Sequence, residues 1–119
     1  MLITRFKSKI HRVTLTRADL NYVGSITIDE ALMEAANILD GERVQIVNNN
    51  NGERLETYAI VAPAGSREFC LNGAAARRGE PGDMITIMTF AGVTPEEATT
   101  FRPRVIVLDA ENNVLTSKS

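Results

Sequence analysis

Short segments that alternate apolar and polar residues run along this whole chain, separated by turn residues. The alternation is clearest where Val13 and Leu15 interleave with Thr14 and Thr16, which is the period-2 pattern of a half-buried strand. Such segments cover residues 2–9, 11–17, 43–48, 53–62, 68–71, 84–90 and 104–109. Six or seven short strands in 119 residues favour a small closed barrel or a sandwich over an open sheet.

Two short helices are predicted between these strands. Thr27 and Glu30 match a capping box, in which the two side chains satisfy backbone N–H groups at a helix start, and Gly41 is placed to end that helix. The apolar residues that follow the box at helical spacing are Ile28, Leu32, Ala35 and Leu39. A second helical turn is predicted to start at Thr94, with Pro95 as its first residue.

Turn and tail signals complete this outline. Asn51-Gly52 predicts a tight hairpin in which both residues have positive φ. Residues 110–119 are polar apart from one Val and one Leu, so we expect a loose C-terminal tail. The length fits a single domain spanning residues 1–119.

Composition excludes several classes of protein. Thirteen basic and fifteen acidic residues give a net charge of −2, which lacks the excess of positive charge that nucleic-acid binding uses. The longest uncharged stretch, residues 84–95, is too short and too polar for a bilayer, so no membrane contact is expected. Cys70 is the only cysteine and the N-terminus lacks the pattern of a secretory signal, which favours a cytoplasmic protein.

The usual catalytic motifs are missing from the sequence. His11 is the only histidine and Cys70 the only cysteine, so no metal site built from His and Cys is expected. Gly24-Ser25 is not embedded in G-x-S-x-G, and no phosphate-binding or dinucleotide-binding glycine motif is present. Chemistry must therefore come from a less common arrangement.

Charged and aromatic residues recur at even spacing in two of the predicted strands. Lys9 and His11 share one strand face, and so do Arg54 and Tyr58. If both cations stand at the opening of one site, they suit a small dianion. Arg54 would then bind one carboxylate through two N–H groups, and Lys9 would act as a compact positive charge.

Four stretches carry a family resemblance: KIHRV at 9–13, ADLNYVGSITID at 18–29, NGERLETY at 51–58 and LNGAAAR at 71–77. With these motifs the chain resembles the aspartate 1-decarboxylases, the pyruvoyl enzymes of pantothenate synthesis, over residues 1 to about 109. Tyr-x-Gly-Ser, Asn-Gly-x-Arg-x-x-Thr-Tyr and Asn-Gly-Ala-Ala at these separations make the match specific. The resemblance implies a mainly β fold, a double-psi β-barrel with one or two short helices, and a homotetramer.

The resemblance further implies that the chain cuts itself between Gly24 and Ser25, into residues 1–24 and 25–119. In this chemistry the Ser25 hydroxyl attacks the preceding carbonyl, and the ester so formed breaks by β-elimination and hydrolysis to leave a pyruvoyl group. Having no Cβ, Gly24 is expected to expose its carbonyl and to store backbone strain. Members of the family mature either spontaneously or with a helper protein, and both routes stay open.

Residue roles follow from the same resemblance. Ser25 is the implied precursor of the pyruvoyl cofactor, which forms a Schiff base with L-aspartate and accepts electrons as carbon dioxide leaves, giving β-alanine without a metal or pyridoxal phosphate. Tyr58 is implied to donate a proton to the resulting carbanion, and Lys9 and Arg54 to bind carboxylates.

The remaining roles concern maturation and the pocket. Thr57 and Asn72 are implied to hold the oxyanion and the ester. Backbone groups of Gly73, Ala74 and Ala75 are implied to line the pocket, with Tyr22 and His11 as supporting residues. Thr57 and Tyr58 are neighbours in a strand and should face opposite ways, which a pocket between subunits or a local twist reconciles.

A simpler interpretation stays beside this one. Gly24-Ser25 alone is typical of a turn before a helix, Lys9 and Arg54 alone are typical solvated charges, and Cys70 alone is typical of a small buried residue. The alternative function is therefore a non-catalytic small β-barrel that binds an anionic ligand or a protein partner.

Overall fold

The computed structural model describes residues 1–118, which form nine strands, two short α-helices and one 3₁₀ helix. The strands are β1 (Ile3–Thr14), β2 (Arg17–Asp19), β3 (Ser25–Asp29), β4 (Arg43–Asn48), β5 (Arg54–Ala62), β6 (Phe69–Asn72), β7 (Met84–Val93), β8 (Arg104–Leu108) and β9 (Val114–Lys118). The helices are α1 (Glu30–Ala36), α2 (Pro95–Ala98) and the 3₁₀ helix Gly73–Arg78. The prediction of a mainly β fold with short helices is confirmed, and the double-psi topology stays a prediction.

The strand order shows that the sheet curls on itself. Hydrogen-bonded neighbours follow the order β2-β6-β3-β5-β4-β7-β1-β8-β9, so β2 and β1 are six strand positions apart. A flat sheet would separate them by about 29 Å at the usual strand spacing. Only residues 15 and 16 join the end of β1 to the start of β2, a link that spans about 10 Å. The β2 end of the sheet must therefore curl back to β1, which is the geometry of a barrel.

Apolar side chains from alternate strand positions fill the interior. In β1, Ser8 and Ile10 are fully buried while Lys7, Lys9 and His11 on the other face are partly exposed. The largest fully buried side chains are Phe69, Ile10, Leu15, Ile26, Ile28, Met33, Ile46, Leu71, Ile85, Ile87, Ile106 and Leu108. No helix among the described residues has the length and apolar character needed to cross a membrane.

The start and the end of the first helix differ from the prediction. Thr27 lies inside β3, which pairs with β5 on one side and β6 on the other, and this pairing overrides the capping-box signal. Asp29 caps the helix instead, with its Oδ1 accepting from the Ala31 N–H at 2.8 Å. The helix ends at Ala36 with Asn37 in the left-handed region, so the predicted stop at Gly41 is also wrong.

Other predicted elements are confirmed with changes. The hairpin of β4 and β5 forms, but only Gly52 of the predicted pair has a positive φ, and residues 49–53 form a longer loop. The capping box at Thr94 forms as predicted, with Pro95 opening α2. β7 runs three residues past the predicted segment, to Val93.

The predicted loose tail is wrong for residues 114–118. The Asp109 carboxylate accepts N–H groups of Glu111 and Asn113, and the chain reverses there so that β9 pairs antiparallel with β8. Every residue of this edge strand is exposed, which explains why its composition resembles a tail. Ser119, the last residue of that prediction, lies outside the described residues.

Candidate active site

Ser25 is the first residue of β3, and its side chain is fully buried although Gly24 before it is exposed. The Ser25 hydroxyl donates to the Val23 carbonyl at 2.9 Å and accepts from Nδ2 of Asn72 at 2.9 Å. A buried hydroxyl with both a donor and an acceptor in place is held in one orientation. The nucleophile required by the predicted chemistry is therefore held in place directly after an exposed glycine.

Ser25 belongs to a group of four polar side chains on β3 and β6, the Asn72 cluster: Ser25, Thr27, Cys70 and Asn72. In the antiparallel register Ser25 lies opposite Asn72, and Thr27 lies opposite Cys70. Asn72 Nδ2 also donates to Thr27 Oγ1 at 2.8 Å, and the Cys70 thiol donates to Asn72 Oδ1 at 3.2 Å. Both N–H groups and the oxygen of the Asn72 amide are thus satisfied.

Gly73, directly after Asn72, is in close contact with the segment before Ser25. Its φ is +66°, and a Cβ added there would lie 2.8 Å from Gly24 Cα, 2.9 Å from Gly24 N and 3.0 Å from the Tyr22 carbonyl oxygen. Gly24 itself has no positive φ, and a Cβ added to it would meet nothing within 4 Å. The expectation of stored strain at Gly24 is therefore wrong, because the position that requires glycine is Gly73.

A cavity of about 250 Å³ adjoins the Gly24–Ser25 peptide. Its lining residues are Gly24, Leu55, Glu56, Thr57, Ala74, Ala75 and Arg78. The structure therefore brings Thr57, Ala74 and Ala75 together around Gly24, as the resemblance implied. A second cavity of about 250 Å³ is lined by Tyr22, Thr27, Cys70 and Asn72 among others, so Asn72 lies between the two.

Lys9 and Arg54 lie on one face of the sheet but not at the opening of one site. The strand register aligns Lys9 with Met88, Met88 with Gln45 and Gln45 with Glu56, so β1 is three strand spacings from β5. That separation is about 14 Å in a flat sheet. Arg54 and Tyr58 flank Glu56 on β5 and share its face. A single copy of the chain therefore does not bring Lys9 and His11 next to Arg54 and Tyr58.

Burial confirms that Thr57 and Tyr58 face opposite ways. Along β5, Leu55, Thr57 and Ala59 are less exposed than Arg54, Glu56 and Tyr58. Tyr58 nevertheless lies close to Ser25 along the sheet, because Ile26 of β3 pairs in parallel with Ala59 of β5. Both side chains lie on the face opposite the core residue Ile26.

His11 is expected to be neutral at neutral pH. Burial lowers its pKa from the ordinary value, and the nearby charges of Lys9 and Arg12 lower it further. Since His11 is the only histidine, one imidazole signal in a nuclear magnetic resonance titration reports this pKa directly. We expect a midpoint below 6.5 and a loss of stability as the pH falls through it, because the unfolded chain binds that proton more tightly. A midpoint at or above 6.5 would contradict this prediction.

Sequence reasoning missed the parts played by Thr27 and Cys70. The sequence pattern assigns Thr27 to a helix cap and Cys70 to apolar packing. The Cys70 thiol is indeed buried, but it also donates to Asn72. The available signal was the i, i+2 spacing of Ser25 with Thr27 and of Cys70 with Asn72, which places each pair on one strand face. No group of three or more His, Cys, Asp or Glu within residues 1–118 is arranged to hold a metal ion.

Comparison with known proteins assigns the chain to a family. The family model described as aspartate decarboxylase matches residues 1–115. An aspartate 1-decarboxylase of Porphyromonas gingivalis is 59% identical over 118 residues, which cover 99% of this chain and 100% of the relative. One of Moorella thermoacetica is 60% identical over 112 residues, covering 94% and 88%, and one of Pelotomaculum thermopropionicum is 56% identical over 115 residues, covering 97% and 87%. The chain therefore belongs to the aspartate decarboxylase family.

Proposed function

We propose that this chain decarboxylates L-aspartate to β-alanine and carbon dioxide, after cutting itself between Gly24 and Ser25. The observation that carries the proposal is the buried Ser25 hydroxyl, held by Asn72 and Val23 directly after an exposed glycine. Relatives that align with nearly the whole chain are named aspartate 1-decarboxylase, which supports the same substrate here. The product fits a place in pantothenate synthesis.

Self-cleavage starts with the Ser25 hydroxyl attacking the Gly24 carbonyl carbon. The Gly24–Ser25 C–N bond breaks, an ester bond to Ser25 Oγ forms, and the serine nitrogen takes up the proton. Thr57 lies in the cavity beside Gly24 and is proposed to donate to the oxyanion, while the Asn72 N–H stays on Oγ. Elimination then releases the Gly24 carboxylate, and water replaces the serine nitrogen, which leaves as ammonia.

The residues present fit a pyruvoyl group at position 25. Once Oγ has left with the Gly24 carboxylate, Asn72 Nδ2 remains as a hydrogen-bond donor beside position 25, and the neighbouring cavity of about 250 Å³ has room for a small amino acid. When formed, the pyruvoyl group supplies a carbonyl that condenses with an amine and withdraws electrons as carbon dioxide leaves. Asn72, Ala74 and Ala75 are proposed to hold it.

Substrate binding is proposed to use residues of more than one copy. The side chains of Arg54 and Lys9 form no hydrogen bond or ion pair with any other residue of 1–118, so both cations are available to carboxylates. Because the strand order of one copy sets β1 and β5 three strand spacings apart, we propose that β1 and β5 of different copies supply the two cations to one site. This agrees with the implied homotetramer, and Tyr58 beside Arg54 is proposed as the proton donor.

Intact mass measurement of the purified protein tests the proposal. We expect two fragments, of 24 residues and of 119 − 24 = 95 residues, the larger one blocked at its amino terminus. Ser25→Ala is the matched control, since it removes only the hydroxyl, and we expect it to stay whole and inactive. A wild-type chain that remains whole after warming and after exposure to cell extract, which would contain a helper protein, favours the non-catalytic barrel instead.

A further inference from the structure

The Asn72 amide has two ends with opposite hydrogen-bonding properties, and a half-turn about its terminal bond exchanges them. In the orientation described, both Nδ2 hydrogens point to hydroxyl oxygens, of Ser25 and Thr27, while Oδ1 faces the Cys70 thiol. The reverse orientation places Oδ1 against Ser25 Oγ, whose own hydrogen already goes to the Val23 carbonyl. Two acceptors would then face each other in a buried place.

We infer that Cys70 and Thr27 are positioning residues, which fix the Asn72 amide so that an N–H and not an oxygen points at Ser25 Oγ. Thr27 supplies an acceptor at 2.8 Å for one end of the amide, and Cys70 supplies a donor at 3.2 Å for the other. The thiol has one hydrogen, and its other acceptor, the Leu71 carbonyl, is farther away at 3.8 Å. The thiol hydrogen therefore points to the nearer acceptor, Asn72 Oδ1.

The fold presents these two residues to Asn72 from two neighbouring strands, Cys70 from β6 and Thr27 from β3. Cys70 precedes Asn72 by two positions on β6 and shares its face, while Thr27 lies across from Cys70 on β3. Cys70 and Asn72 are each about 2% exposed, so the contact between the thiol and the amide oxygen is shielded from water. Burial also raises the pKa of the Cys70 thiol, which therefore keeps its hydrogen at neutral pH.

The orientation matters because negative charge develops on Ser25 Oγ as its proton leaves, a step that rests on the proposed function. An N–H beside that oxygen stabilises the charge without any rearrangement, whereas an amide oxygen there repels it. Losing either bond lets the amide sample the reverse orientation. Self-cleavage is then slower even though Ser25 and Asn72 are both unchanged.

Two pairs of variants test this inference through the rate of fragment formation by freshly made chain. Cys70→Ala, which lacks a donor, is expected to slow self-cleavage about fivefold, while Cys70→Ser, which keeps one, stays within about twofold of the wild type. Thr27→Val and Thr27→Ser form the matching pair for the acceptor. Melting temperatures measured in the uncleavable Ser25→Ala background show whether the members of each pair are equally folded. Equal cleavage rates for Cys70→Ala and Cys70→Ser would overturn the inference.

A second measurement separates this inference from the proposed function. In the Ser25→Ala background no cleavage occurs, and the side-chain amide protons of Asn72, assigned by their loss in Asn72→Asp, report how firmly Cys70 and Thr27 hold the amide. We expect their exchange with water to be at least about fivefold faster with Cys70→Ala than with Cys70→Ser. A wild-type chain that never cuts itself defeats the proposed function alone, and identical exchange in both variants defeats the positioning role alone.

Discussion

Gly73→Ala is expected to destabilise the fold by about 3 kcal/mol and to slow self-cleavage about a hundredfold. The added Cβ would lie within 3.0 Å of three backbone atoms, two of Gly24 and one of Tyr22, and backbone cannot move aside as a flexible side chain does. The alanine also has to adopt a φ of +66°. Relief of the clash shifts the Gly24 carbonyl relative to Ser25 Oγ, and small displacements of reacting groups cost about this factor in rate.

Gly52→Ala is the matched control for this prediction. It imposes a similar φ of +76° in the hairpin loop, yet its Cβ would meet nothing within 4 Å. We expect it to cost only about 1 kcal/mol and to leave the cleavage rate near that of the wild type. Denaturant unfolding in the Ser25→Ala background gives the stability, and intact mass against time gives the rate. Equal stability losses at the two positions would show that the contact with Gly24 is not tight.

Arg54→Ala is expected to lower kcat/KM for L-aspartate at least about a hundredfold while self-cleavage proceeds normally. Arg54 is exposed and its side chain forms no hydrogen bond or ion pair with other residues of 1–118, so truncating it removes no internal polar contact. A bidentate pair with a substrate carboxylate is worth several kcal/mol when shielded from water, which sets the size of the expected loss. The two readouts are product formation and fragment masses.

Arg102→Ala controls for the loss of a surface cation in this experiment. Arg102 is also exposed, and its only hydrogen bond within the described residues goes to the neighbouring Phe101 carbonyl. We expect it to cleave and to turn over as the wild type does. Wild-type kcat/KM in Arg54→Ala would remove Arg54 from substrate binding, and failure of cleavage there would assign it to maturation instead.

Local pattern predicted most of the strands because their alternation is strong. The segments around Ile46, Ile87 and Ile106 appear in the structure near their predicted places, each with its isoleucine fully buried. β3 was missed because its residues also satisfy a helix-start pattern, and only pairing with β5 and β6 decides between the two. Pairing between distant segments is information that a local pattern does not contain.

The candidate site could be predicted only in part for the same reason. Motif resemblance identified Ser25, Thr57 and Asn72, which the fold does bring to the two sides of one peptide bond. It implied that Lys9 and Arg54 both bind carboxylates, and the strand order of one copy separates them. Cys70 was missed because its part in the cluster depends on the register of β6 against β3.

The place of β1 in the sheet determines what the proposed self-cleavage would do to the folded protein. This strand lies in residues 1–24 and is paired with β7 on one side and β8 on the other, contributing buried Ile10 and Val13 to the interior. The short fragment would consequently remain as an inseparable peptide, released only by denaturants. The proposed self-cleavage would also have to follow folding. A peptide of residues 1–24 released before folding would have to diffuse into its place between β7 and β8.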